Sequence, residues 1–370
     1  MSDIKINTIK ELIKLKKIYY KKKVFLVTGR MSYKLSGAKE TLSELLADED
    51  VTHFPDFSLN PKLDEAIKGA RLARCNKIEV IIAVGGGSVI DMAKLVKAFL
   101  NNPRNEQKIV LGEKSLSDPS VPLIVVPTTA GSGSEATHFA VVYIDDQKYS
   151  LASPHLQPNF VILDGSLIQS NSKYQKACNG LDALAQGIES AWAVNSSRES
   201  QKNALKAVKV CSQNLSKFVN GKFVLEVSNK MLTAANLSGQ AINISKTTSA
   251  HAWSYGFTSY FGIPHGHAVW LTLPKIFQLH TELAQSLGKK CLQQNIDDIC
   301  KALGMKHSDK PEQYLINFCK SLGVNLDFQS IKGCNKQILK KLSKQVNAER
   351  MSNNPILFDQ KQINYIFELG

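Results

Sequence analysis

The chain lacks any run of about eighteen uncharged apolar residues, so no transmembrane helix is expected. Its first 23 residues, MSDIKINTIKELIKLKKIYYKKK, contain neither an apolar core nor a small-residue cleavage site, so no secretory leader is expected. The seven cysteines stand singly at 75, 178, 211, 291, 300, 319 and 334, with no CxxC. That pattern excludes a zinc-finger pair and points to reduced thiols in a cytoplasm. No GxGxxG occurs, so the ordinary Rossmann fingerprint is missing. Internal repeats, low-complexity linkers and RNP-type aromatic motifs are absent too.

What is present is enough apolar material for two cores: 370 residues, 43 % hydrophobic. Basic residues outnumber acidic ones by 46 to 32, a formal charge of +14. The lysines are spread along the chain, densest in the first 25 residues and in KGCNKQILKKLSK. Solvated helix faces account for most of such an excess, and an anionic small molecule is the next reading. With no accompanying recognition motif, nucleic acid is not expected as a partner.

The first half alternates two patterns. KVFLVTG (23–29), VTHFPDF (51–57), KIEVIIAVGGGS (77–88), VPLIVVP (121–127) and PNFVILD (158–164) read as strands. NPKLDEAIKGARLARC (60–75) and VIDMAKLVKAFL (89–100) read as helices, the first with Asn60-Pro61 as its cap and first-turn signal. Alternation of this kind implies a parallel, doubly wound sheet. Beyond about residue 165 the β-type runs stop and 3.6-residue periodicity takes over. The expected organisation is an α/β domain over 1–165 followed by an all-α domain over 166–370.

Two loops follow strands and are built for polar ligands. IIAVGGGSVIDMAK is strand, glycine turn, helix; glycines permit close approach and positive φ, and the first helical amides form an anion site. PTTAGSGSEAT (127–137) supplies hydroxyls after the next strand. Two such loops at successive strand ends mark the usual ligand edge of an open α/β sheet, and a dinucleotide fits both.

NGLDALAQGIESAW places Asp182 and Gln186 four apart, on one helix face. His251 and His265 follow, separated by a Gly-Ile-Pro break that sets them on consecutive elements, with Pro264 in a first-turn position. These four can hold a divalent ion, or they can be ordinary core and cap residues.

In chain order, VTG, NP, GGGSVIDMAK, PTTAGSGSE, a K…P…P…VILD stretch, GLDALAQGIES, H…PHG and a late NNP resemble the iron-dependent, group III alcohol dehydrogenase family. That family shares its fold with glycerol dehydrogenase and dehydroquinate synthase. The resemblance implies a dinucleotide-binding domain, a helical domain and a metal in the cleft between them. It implies NADH or NADPH as cofactor, and one divalent metal, Fe2+ or Zn2+. Carried over by position, Gly29, Asn60, Gly85, Gly86, Gly87, Ser88, Asp91, Thr128, Thr129, Ser132, Val141 and Lys148 fall on cofactor contacts. Asp182, His251 and His265 fall on metal ligands, and Gln186 stands where the family usually has a fourth, histidine ligand. Tyr255 occupies a position where the family often carries a proton-relay histidine, and His267 is an extra histidine; both are candidate catalytic residues. Where the family carries an acid after its first strand, this chain has Gly29 followed by Arg30, which predicts that NADPH is accepted.

ESAWAVNSSRES (189–200), NISKTTSAHAWSY (243–255) and PHGHAV (264–269) resemble phosphonoacetaldehyde reductases more than simple alcohol dehydrogenases. The implied reaction is reduction of a small anionic aldehyde, with Lys246 and Arg198 as candidate contacts to the anion. A general alcohol or polyol dehydrogenase, a dehydroquinate synthase-like cyclase and a non-enzymatic basic binding protein are the alternatives. The expected partners are that small molecule and further copies of the chain, as a homodimer or larger homo-oligomer.

Overall fold

The computed structural model describes residues 5, 6, 8–118, 120–145 and 147–369; residues 1–4 and 7, at the head of the Lys-rich opening stretch, lie outside it. The chain forms two compact units, Met1–Asn171 and Ser172–Gly370.

The first unit is built on a sheet of six parallel strands. These are β1 (Lys5–Ile6), β2 (Lys23–Thr28), β3 (Asp50–Phe54), β4 (Val80–Gly85), β5 (Leu123–Pro127) and, after a hairpin, β8 (Phe160–Ile162). They lie in the order β1-β8-β5-β4-β2-β3. β4 and β5 are buried at every residue, as expected of a parallel sheet covered on both faces. Side chains alternate in direction. Val24, Leu26, Val80, Ile82, Ile124 and Val126 pack with Leu12, Tyr33 and Leu42 on one face. The opposite face takes α1 (Leu63–Cys75) and α2 (Gly87–Phe99), where Gly69 lies against Phe54 and Val96.

The first helix begins later than the Asn60-Pro61 signal suggests. Its N-cap is Lys62, whose amide donates to Glu65 Oε2 at 3.3 Å. Pro61 is used elsewhere: its carbonyl accepts from the Tyr143 amide at 2.8 Å. Tyr143 belongs to an antiparallel hairpin, β6 (Phe139–Ile144) and β7 (Gln147–Ala152), that the sequence reading did not anticipate. The last strand, β8, ends at Ile162, and every longer element beyond it is helical among the described residues.

The second unit starts with three long helices, α3 (Lys173–Trp192), α4 (Arg198–Asn220) and α5 (Leu225–Ser245). α3 and α4 pack closely and antiparallel. A Cβ on Gly180 would meet the Leu215 side chain, and one on Gly187 would meet Val208 and the Ala204 carbonyl. Two shorter helices follow, α6 (Ser249–Phe261) and α7 (His265–Trp270), with further helices out to Ile366. Trp192, Trp253 and Trp270 anchor the core, each 1 % exposed or less. No helix among the described residues is long and apolar enough to cross a membrane.

Candidate metal centre and dinucleotide-binding turn

The second unit carries the denser chemistry. Asp182 and Gln186 project from one face of α3, and Glu189, one turn further, shares that face. The break expected after His251 is real: α6 ends on Gly262 at φ 65°, and Pro264 is the N-cap of α7. Gly266 explains why histidine, glycine and proline stand together there. A Cβ at Gly266 would lie 1.9 Å from the Cys178 carbonyl oxygen, so only glycine lets α7 rest directly on the α3 backbone. That seating delivers His265 to Asp182.

Ligand-type atoms of Asp182, His251 and His265 all lie within 4.8 Å of one another. Asp182 and His251 are buried and His265 is partly exposed. Glu189, fully buried, organises the group. Its Oε1 accepts from the Thr248 hydroxyl at 2.8 Å and from the amides of Thr248, Ala250 and His251 at 3.2, 3.0 and 3.3 Å. It thus caps the α6 N-terminus as an anion placed on the positive helix end. Its Oε2 accepts from His251 Nδ1. His251 Nε2 faces Asp182 Oδ1 at 3.4 Å, and in the neutral ring with Nδ1 donating it would present a bare lone pair there. No third group hydrogen-bonds to either atom. Two buried acceptors facing each other call for a cation between them.

The electrostatics agree. Burial pushes the Asp182 carboxyl upward, but His251 and His265 outweigh it and hold the group below its ordinary range. Glu189 is likewise lowered against its burial, chiefly by His251. Without a metal, a proton on Nε2 answers that call: burial disfavours the His251 imidazolium, yet Glu189 and Asp182 lift its pKa to about 9, and a bound cation would take that proton's place. The pocket is set for positive charge, and one carboxylate with two imidazoles is a donor set that suits Fe2+ or Zn2+. The arrangement in which a carboxylate fixes the far nitrogen of a ligating histidine is common around metals.

Gln186 sits beside the cluster. Its Oε1 accepts from Ser238 Oγ at 3.1 Å, and its side chain hydrogen-bonds to Asp182. Tyr255 stacks on His265, ring centroids 6.0 Å apart.

The other expected residues fall differently. His267 has both ring nitrogens engaged, by Tyr174 Oη at 2.8 Å and the Asn325 carbonyl at 2.7 Å, and burial lowers its pKa. An imidazole so tied joins α7 to α3 and to the Asn325 loop and has no ring nitrogen left for proton relay. Arg198 is exposed at the first residue of α4. Ten residues separate Asp182 from the C-terminal end of α3, which is about 15 Å of helix. Since α4 begins beyond that end, Arg198 is not brought to the cluster. Lys246 is exposed and ion-pairs with Glu349.

In the first unit, Gly85 ends β4, Gly86 is the N-cap of α2 and Gly87 starts the helix. None of the three has positive φ, contrary to expectation. Their role is steric: a Cβ on Gly86 would meet Thr129 at 3.2 Å, and one on Gly87 would meet Ser132 Oγ at 2.7 Å. The glycines let the hydroxyl-rich loop fold onto the turn. Thr128 donates its amide to the Gly85 carbonyl at 2.9 Å, and its buried Oγ1 has no partner. Gly29 follows β2 and lies near Val89 of α2, so the strand ends β2, β4 and β5 meet at one edge. Ser88 belongs to the first turn of α2. Asn60 is exposed in the loop between β3 and α1.

Asp91 accepts from Ser134 Oγ at 2.5 Å and from the Val141 amide at 3.2 Å, and Lys148 adds a favourable charge. The structure therefore makes Asp91 a brace between α2, the loop and the hairpin. Beside it, sequence reasoning missed Lys94, wholly buried, whose Nζ donates to the carbonyls of Ser134, Thr137 and Phe139 at 2.6, 2.8 and 2.9 Å. Burial lowers its pKa to about 8, with Asp91 and Glu135 opposing. Arg30 pairs with Asp56 at 3.2 Å.

Comparison with known proteins now decides the lineage. A family model described as iron-containing alcohol dehydrogenase matches residues 4–165, and one described as Fe-containing alcohol dehydrogenase family, C-terminal, matches residues 176–369. The chain belongs to the iron-containing alcohol dehydrogenase family. A crystal structure of an iron-containing alcohol dehydrogenase from Thermotoga maritima is similar with a TM-score of 0.82 at 26 % identity, over 99 % of this chain and 96 % of that one. Aldehyde-alcohol dehydrogenase 2 of Entamoeba histolytica is 30 % identical over 77 % of this chain. Phosphonoacetaldehyde reductase of Streptomyces viridochromogenes is 33 % identical over 56 % of it. The matched regions span 36 % and 55 % of those two curated relatives. The geometry of Asp182, His251 and His265 is compatible with a metal site in a chain of this family.

Proposed function

We propose that the protein reduces a small aldehyde to an alcohol with NADPH or NADH, assisted by one divalent ion held by Asp182, His251 and His265. The observation that carries this is the buried pair Asp182 Oδ1 and His251 Nε2, facing each other at 3.4 Å beside His265 with no third group hydrogen-bonded to either atom. Asp182, His251 and His265 would hold a divalent ion, which when bound would supply Lewis acidity toward the carbonyl oxygen. A nicotinamide cofactor, when bound, would supply the hydride. The chain's own groups do the rest. Glu189 holds the His251 ring and its tautomer. Gln186 holds Asp182 in place. Tyr255 packs flat on His265, and its Oη is our candidate to pass a proton to the product oxygen. The turn at Gly85–Ser88 and the loop at Thr128–Ser132 hold the cofactor phosphates and ribose through backbone amides and hydroxyls.

The preferred substrate in this reading carries an anion, as phosphonoacetaldehyde does. The local resemblance of 189–200, 243–255 and 264–269 supports this, as does the similarity to the Streptomyces reductase. The +14 charge steers anions toward the protein. The test is NAD(P)H consumption with phosphonoacetaldehyde, propanal and butanal. A higher kcat/KM for the phosphonate supports the reading; a preference for the neutral aldehydes reduces it to a general aldehyde reductase, and no turnover with any of them removes it.

A further inference from the structure

We propose that Arg350, a residue outside every motif noted in the sequence, is the group that recognises the substrate's anion. The inference rests on the reading of Asp182, His251 and His265 as the carbonyl-binding centre. Arg350 lies on the short helix Ala348–Ser352 and is partly buried. Its guanidinium carbon stands 5.7 Å above the Tyr255 ring, and the same ring stacks on His265. Tyr255 thus touches both the guanidinium and a residue of the cluster.

The guanidinium has five N–H donors. One nitrogen, NH1, donates to Thr247 Oγ1. Among the described residues Arg350 forms no ion pair. The adjacent carboxylate, Glu349, is taken by Lys246. A partly buried guanidinium without a counter-ion is a site for one, and its planar fork matches the oxygens of a phosphonate, sulfonate or carboxylate.

The backbone around it is shaped to the purpose. Lys246 sits at φ 60°, ψ −177°, a region that only glycine enters at ease. The turn is held by Asn353 Nδ2, which donates to the Ser245 and Thr247 carbonyls at 2.7 and 3.0 Å. It points the charged Lys246 outward and the buried Thr247 hydroxyl at Arg350. The next residue, Thr248, reaches Glu189 and through it His251. The segment 245–251 thus links the guanidinium to His251 through a run of hydrogen bonds.

The test compares metal-loaded wild type, Arg350→Gln and Arg350→Lys on phosphonoacetaldehyde and propanal, and titrates 2-hydroxyethylphosphonate calorimetrically. Arg350→Gln should lower the ratio of kcat/KM for the anionic over the neutral aldehyde roughly ten- to hundredfold, the loss of a charge-assisted contact. The fall should lie mainly in KM, and 2-hydroxyethylphosphonate binding should weaken by a similar factor. Arg350→Lys keeps the charge but loses the fork and should lower the ratio by about threefold or more; it decides the matter if Arg350→Gln melts early. An unchanged ratio, or a parallel fall for both aldehydes, overturns the proposal. If wild type reduces no aldehyde yet loses 2-hydroxyethylphosphonate binding on Arg350→Gln, the reductase reading falls and the anion site stands. If wild type reduces propanal and does not bind the phosphonate, the anion site falls alone.

Discussion

Replacing Glu189 by glutamine changes almost no volume and removes one charge, so its consequences can be worked out bond by bond. The carboxylate has four donors on Oε1 and the His251 ring on Oε2. In the variant the amide oxygen must face the four donors, because turning the amide would set N–H against N–H. The amide nitrogen then confronts His251 Nδ1–H, and that contact becomes donor against donor. The ring loses a charge-assisted bond worth about 1.5–3 kcal/mol. To regain a partner the imidazole must switch tautomer, which places a proton on Nε2, the nitrogen aimed at Asp182. Metal affinity should therefore fall roughly ten- to hundredfold, the range seen when outer partners of metal-bound histidines are altered. Calorimetric titration of Zn2+ or Co2+ into stripped wild type and Glu189→Gln measures this, with thermal unfolding of the metal-free proteins alongside. Equal metal affinity accompanied by a lower Tm would refute the reasoning and leave Glu189 as a helix cap alone.

Three further outcomes follow from particular contacts. A Cβ on Gly29 would clash with Ser32 Oγ at 2.4 Å and stand in ordinary contact with Val89 Cγ2 at 3.5 Å, so Gly29→Asp combined with Ser32→Ala should fold; wild type should use NADPH at least as well as NADH, and the double variant should shift toward NADH in initial-rate assays. Gly266→Ala drives a methyl into the Cys178 carbonyl, so α7 must lift away; metal binding should be lost together with about 2 kcal/mol or more of stability in urea titrations, whereas an unaffected metal affinity would contradict the seating argument. His280 is buried, accepts from Asn354 Nδ2 at 3.0 Å and has its pKa lowered to about 3, first by burial and then by Lys289. Its folded form stays neutral while the unfolded chain takes up a proton below about 6.5, so stability falls as the pH drops. Between pH 7 and 5 wild type should lose about 2 kcal/mol more than His280→Gln.

The sheet was legible because strands buried on both faces are continuous apolar runs, and β2, β4 and β5 are such runs bounded by turn residues. The hairpin at 139–152 was missed although β6, FAVVYI, is itself an apolar run: it stands outside the main sheet, half-exposed, and its partner strand carries Gln147, Lys148 and Ser150. The glycine turn was located correctly but for a partly mistaken reason: Gly85–Gly87 keep negative φ and make room for Thr129 and Ser132. Asp182, His251 and His265 could be picked out by type and order. Glu189 carried a weaker signal, a third polar residue on the Asp182–Gln186 face, because a helical glutamate is ordinarily solvated. Arg350 carried none, since 103 residues separate it from Thr247 and only tertiary folding joins them. Lys246 and Arg198 were chosen for charge and proximity in sequence, and charge alone does not say which way a side chain leaves its helix.

The central claim is that one ion, held by Asp182, His251 and His265, is required for aldehyde reduction. It is tested most directly by stripping the protein with a chelator and following NADPH-dependent aldehyde reduction while Fe2+ or Zn2+ is added back in measured equivalents. The account predicts negligible activity without metal, a linear rise to a break at one equivalent per chain, and no restoration in His265→Ala. Full activity in the stripped protein, or a His265→Ala protein restored at the same single equivalent, would contradict it.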